Sequence, residues 1–166
     1  VNQVKKPEIV TKGFQRAASK KRKYSFAPAG EIKDLKSYLS PTRGNLVELN
    51  VAWNERIIQT YHYRGKGVIR TQSSREDGLF LPTHSVPANW PLIDLGTQTK
   101  VLVPTGAEIE IITAKASAKE DVLMASGKAV RMAQGVQVRF DQNELLCVKL
   151  PDKNLTLFFR FVESTP

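Results

Sequence analysis

Residues 136–162 read VQVRFDQNELLCVKLPDKNLTLFFRFV, and this stretch decides the fold. Val136, Val138 and Phe140 alternate with Gln137, Arg139 and Asp141, the period of two by which a strand sends successive side chains to opposite faces. Asp141-Gln142-Asn143 has turn chemistry. Leu145 to Leu150 is a second strand, Pro151-Asp152-Lys153-Asn154 a second turn, and Leu155 to Val162 a third strand.

The same period extends upstream. From Leu46, Val47, Leu49, Val51 and Trp53 point one way and Glu48 and Asn50 the other, which predicts a half-buried strand. Asn54-Glu55 turns the chain into a strand over Ile57 to Tyr63. Arg64-Gly65-Lys66-Gly67 turns it again into Val68-Ile69-Arg70. Short apolar runs follow at Leu79-Phe80-Leu81, Pro91-Leu92-Ile93 and Lys100-Val101-Leu102-Val103, and Glu108 to Ile112 alternates. Ser117-Ala118-Lys119-Glu120 fits a capping box and Gly127 a left-handed stop. They predict a short helix over Ala118 to Ser126, with a strand through Val122-Leu123-Met124 as the alternative. About ten short strands joined by tight turns make a sandwich or a barrel.

The 166 residues suffice for one domain with a sizeable core, and 41% of them are hydrophobic, an ordinary globular share. No run approaches the ~18 apolar residues of a membrane span, and no apolar segment of signal-peptide type follows the early lysines. The net charge of +9 is concentrated in residues 1–45, which hold 11 Lys and Arg against 3 acids, while residues 46–166 hold 14 against 13. Residues 1–30 show no sustained period and read as an extended basic arm. Ile32, Leu35 and Leu39 then share one face of a short helix near 31–39, which Ser40-Pro41 ends. The densest run, Lys20-Lys21-Arg22-Lys23, suits a polyanion such as nucleic acid, an anionic lipid surface or an acidic protein face. A solvated linker is the plain alternative.

Little in the chain announces chemistry. Cys147 is the single cysteine and lies in an apolar strand, so it reads as a small core hydrophobe. His62 and His84 have no His or Cys at ligand spacing, which argues against a metal site. There is no nucleophile elbow, and Arg64-Gly65-Lys66-Gly67 lacks the spacing of a phosphate loop. Glu108 and Glu110 read as solvated carboxylates, and Trp53 and Trp90 as core anchors. These observations predict a binding domain with no catalysis, no cofactor and no small-molecule substrate.

Several motifs, taken in order, give a family resemblance over residues 46–163. They are Leu49-Asn50-Val51-Ala52-Trp53, Tyr61-His62-Tyr63-Arg64-Gly65, Gly67-Val68-Ile69, Asp77-Gly78-Leu79-Phe80-Leu81-Pro82, Ser85-Val86, Val103-Pro104-Thr105-Gly106-Ala107 and Phe159-Arg160-Phe161-Val162. The chain resembles the forkhead-associated (FHA) domain, and more narrowly the FHA-like region of bacterial gliding-motility envelope proteins with an AgmX/PglI-type, TonB-like C-terminal domain. The resemblance implies a β-sandwich of eleven or so strands, a phosphothreonine-reading loop end, and a transmembrane helix farther along the gene. Where that family has Gly-Arg after the third strand's Ile, this chain has Arg70-Thr71. Where it has Ser-Arg-x-His after a Val, this chain has Pro87-Ala88-Asn89-Trp90. The phosphothreonine cradle is therefore expected to be degenerate, with Arg70, Thr71, Ser73, Ser74 and Arg75 as the residues for a substitute anion site.

The sequence thus predicts an all-β, FHA-like sandwich of about ten to eleven strands at 46–163 with one short inserted helix. A basic arm and a short helix over 1–45 precede it. The expected role is protein docking on the cytoplasmic side of an envelope machine, with the arm against an anionic membrane surface. The competing reading is a nucleic-acid-binding β-barrel that uses the arm. The sheet residues speak against it, because they carry almost no net charge and no interleaved aromatic-basic stripe.

Overall fold

The computed structural model describes residues 8–13, 35–152 and 154–164. The run Lys20, Lys21, Arg22 and Lys23, and Ile32 of the expected helix, lie outside the described residues. The architecture is an all-β sandwich of two antiparallel sheets. The strands are β1 (Glu8–Gly13), β2 (Leu46–Trp53), β3 (Arg56–Arg64), β4 (Gly67–Arg70), β5 (Pro91–Leu95), β6 (Thr99–Pro104), β7 (Glu108–Ile112), β8 (Ser117–Lys119), β9 (Ala129–Arg131), β10 (Gly135–Phe140), β11 (Leu145–Lys149) and β12 (Leu155–Val162). The seven-stranded sheet runs β1-β3-β2-β12-β11-β7-β8 and the five-stranded sheet β4-β5-β6-β10-β9. Two short helices, α1 (Leu35–Tyr38) and α2 (Glu120–Ser126), complete the described structure.

Alternation builds the core. The inward residues of the large sheet, such as Leu49, Tyr61, Leu157 and Phe159, meet Ile93, Val101, Val138 and Phe140 of the small one. Phe140 packs on Phe159 at 6.1 Å and on Phe161 at 5.0 Å between ring centroids. Asn54 and Glu55, at φ 47° and 72°, make the two-residue hairpin whose twist matches its flanking strands. α2 carries the chain from the edge of one sheet to the edge of the other and pins itself by burying Leu123. Gly127 ends it at φ 85°, with its N–H donating to the Met124 carbonyl at 3.2 Å.

The capping box does not form. Ser117-Ala118-Lys119 pairs with β7 as β8, the helix starts at Glu120, and its N-cap Lys119 makes no side-chain cap. Ser117 instead hydrogen-bonds Glu110 on the neighbouring strand. Leu79-Phe80-Leu81 is not a strand but part of a long loop between β4 and β5, and Leu79 and Leu81 plug the core from it. Trp53 is 40% exposed, not a core anchor, because it ends β2 at the hairpin where the opposite sheet no longer covers it. Trp90 is half-buried against the core, its indole N–H donating to the Leu102 carbonyl at 2.8 Å.

The largest departure from alternation is β2, buried on both faces from Leu46 to Ala52. The outer face of the large sheet has its own apolar cluster, in which Leu35 and Leu39 cover Ala52, Ile57, Leu145, Cys147 and Phe158. Each such aliphatic burial is worth about 1.5–3 kcal/mol. Farther along the face, cross-strand neighbours Glu48, His62 and Arg160 form a buried polar network. Arg160 Nε donates to Glu48 Oε1 at 2.7 Å, Asn50 Nδ2 to the same oxygen at 2.6 Å, and His62 Nε2 lies 3.0 Å from Oε2. Thr60 Oγ1 closes the set by donating to Asn50 Oδ1 at 2.6 Å. Arg160 Nη1 donates to the carbonyls of Leu39 and Ser40 at 2.8 and 2.9 Å. The Leu39 carbonyl is one that a helix end leaves unsatisfied, so the guanidinium fastens the end of α1 to the sheet. Residues 8–13 and 35–39, both upstream of residue 46, thus pack with the sandwich, one as its edge strand and the other as a cover.

Burial alone would raise the Glu48 carboxyl. The hydrogen bond to His62, the Arg160 charge and hydrogen bond, and the Asn50 amide outweigh it and hold the group at about 2, against the usual 4.5. The folded-state value is depressed, so the stabilisation is complete above about 4.5 and is lost as pH falls towards about 2. Its size is on the order of 3 kcal/mol. We expect urea-unfolding free energies to fall more steeply between pH 4.5 and 2 in the native chain than in Glu48→Gln. Parallel acid limbs in the two proteins would contradict this.

Candidate functional site

Beside α1 the outer face of the large sheet opens into a groove of about 700 Å³. Strand register sets its floor. Ala52, Thr156, Lys149 and Glu108 lie opposite one another across β2, β12, β11 and β7. The next row holds Phe158, Cys147, Glu110 and Lys119. Leu35 and Lys36 form the wall on the α1 side, the hairpin residues Asn54 and Glu55 one end, and Glu120 of α2 lines it as well. The groove therefore has a floor of buried apolar residues, Leu35, Ala52, Cys147 and Phe158, under a rim of lysines and glutamates.

Charge pairing sets the electrostatics of the groove. Lys36 Nζ sits 2.8 Å from Glu110 Oε1. Burial would raise the Glu110 carboxyl, but the hydrogen bond and charge of Lys36, with help from Ser117 and Lys119, bring it below its usual value. It is thus ionised at neutral pH. Burial pushes the Cys147 thiol up to about 12, and the charges of Lys36 and Glu110 act on it in opposite senses. A thiol so held supplies almost no thiolate at pH 7, and the thiolate is the reactive form. Among the described residues, no three His, Cys, Asp or Glu residues are grouped so as to hold a metal ion.

The residues singled out for an anion site lie in and before the β4–β5 loop. Arg70 is exposed and its Nη1 donates to the Asn89 carbonyl at 3.1 Å. Thr71 is 3% exposed. Its hydroxyl donates to the Pro87 carbonyl at 2.8 Å and accepts from the Trp90 N–H at 3.0 Å. Its backbone adds two bonds, to Trp90 and from Asn89. Thr71 therefore ties the two ends of the loop together. Ser73 is exposed, and Ser74 accepts from the Glu76 N–H at 3.2 Å at the start of a short 3-10 turn, Arg75–Asp77. The Arg75 guanidinium lies 5.8 Å from the centre of the Phe80 ring. His84 is exposed in the same loop, and Tyr61, from the core, accepts the Phe80 N–H at 3.3 Å.

Sequence reasoning missed the groove and the network beside it. The signal was present in Leu145-Leu146-Cys147-Val148, an unbroken apolar run in a strand, which marks a sheet covered on both faces. Comparison with known proteins adds no assignment, since no family model, curated protein or solved structure matches this chain.

Thr71→Val keeps the shape and removes the hydroxyl that serves Pro87 and Trp90. We expect it to cost about 1–3 kcal/mol in urea unfolding. An unchanged midpoint would show that the loop does not depend on this contact.

Proposed function

We propose that this chain is a non-catalytic docking domain, and that a protein partner seats in the groove on the outer face of the seven-stranded sheet. The observation that carries the reading is the groove's make-up, a floor of buried apolar residues under a rim of charges of both signs. An apolar centre with a polar, charged rim is the usual anatomy of a protein interface. Small-molecule sites, by contrast, enclose most of the ligand surface.

The family reading stays with this proposal. A two-sheet sandwich is the architecture that the FHA resemblance implies, and Thr71, Pro87 and Ala88 stand where that family has other residues. Within the resemblance the partner is a component of an envelope machine of gliding or invasion type. The domain then works on the cytoplasmic side of the inner membrane, with the basic arm toward anionic lipid. Among the described residues, no helix is long and apolar enough to cross a membrane.

The test is site-specific photocrosslinking in cells. A benzophenone amino acid at Thr156, on the groove floor, is expected to give a discrete protein adduct. The same probe at the exposed turn residue Lys66 is not. Lys149→Glu, which reverses a rim charge, is expected to lower the yield at Thr156 several-fold. No adduct at Thr156, or equal adducts at both positions, would contradict the assignment of this face.

A further inference from the structure

We propose that the outer edge of β3 is a strand-acceptor site that β1 fills within one chain and that β1 of a second copy fills in a dimer. Among the described residues, β1 is the outermost strand of the large sheet and has β3 as its only sheet neighbour. It covers Thr60–Arg64, the C-terminal half of β3, in antiparallel register from Glu8 opposite Arg64 to Gly13 opposite Thr60. The register shifts between Ile9 and Thr11, so Val10 is the extra residue of a bulge. Such pairing rests on backbone N–H and C=O groups, which are the same whichever chain supplies the strand.

Sequence distance makes exchange possible without strain. Residues 14–34 separate β1 from α1, and a stretch of that length can reach about 70 Å. Reciprocal exchange of the same segment onto the same edge is isologous, so it closes as a two-fold dimer and does not propagate. It also keeps the β3 edge covered on both copies, whereas release of β1 alone would expose it. A connection of 21 residues holds its strand at an effective concentration of order 1 mM. The exchanged dimer is therefore expected at protein concentrations near ~1 mM and not at ~10 μM.

The experiment uses the full chain, unfolded in urea and refolded at ~10 μM or ~1 mM, with mass measured by light scattering after gel filtration. A dimer fraction several-fold larger after the concentrated refolding is expected. Thr11→Pro, which removes a strand donor, is expected to stay monomeric in both. Monomer alone after concentrated refolding, or a Thr11→Pro dimer equal to the native one, would overturn the proposal. Should Thr11→Pro fail to fold, Glu8→Cys with Arg64→Cys replaces it. It is refolded under reducing conditions, oxidised, and run on a non-reducing gel. Inter-chain bridging after concentrated refolding supports exchange. Bridging only within the chain, or no bridge at all, overturns it.

Discussion

The Arg160 guanidinium is the contact on which the arrangement of the outer face depends. It has two tasks at once, pairing with the buried Glu48 carboxylate and donating to the Leu39 and Ser40 carbonyls. A buried carboxylate without its partner is costly, and so are helix-end carbonyls without donors. One planar side chain with several fixed donors meets both needs, which a lysine cannot do in the same geometry. With α1 fastened, Leu35 and Leu39 pack on the apolar cluster of the outer face, and the groove lies beside α1 over part of that cluster. The candidate site is thus a by-product of where the cover stops.

Much of the sandwich was legible because its physics is local. The hairpin at Asn54-Glu55, the turn at Asp141-Gln142-Asn143 and the alternation of Val136, Val138 and Phe140 need only neighbouring residues. The outer face was not legible in the same way. Glu48 and Asn50 look like solvent-facing positions of a half-covered strand. Their burial depends on Arg160, 112 residues away from Glu48, and on a helix of four residues. Ser117 and Glu120 match a capping box by spacing, yet Ser117 is drawn into a strand by β7 and bonds Glu110. In each case a tertiary partner overrode a local preference. β1 belongs to the same group, since six residues of a basic arm reveal nothing about an edge 47 or more residues downstream.

Thr71 shows how sequence and structure divide the question of the site. The resemblance drew attention to it as a departure from a phosphate-binding pattern. In the fold it is a buried tie, holding the loop after β4 to the start of β5 through Pro87 and Trp90. Its hydroxyl has a structural use that needs no ligand. The groove has the opposite character, since its lysines and glutamates form an accessible rim over a buried apolar floor.

The claim that Glu48 and Arg160 act as one unit can be measured directly by a double-mutant cycle. Glu48→Gln, Arg160→Met and the double variant are compared with the native chain by urea unfolding at neutral pH. The account predicts a coupling of at least about 1.5 kcal/mol, because Arg160→Met leaves the buried Glu48 carboxylate without its cation and Glu48→Gln leaves the half-buried guanidinium without its anion. A coupling below about 0.5 kcal/mol, the range of independent sites, would mean that the two residues are merely adjacent and that α1 is held by its leucines alone.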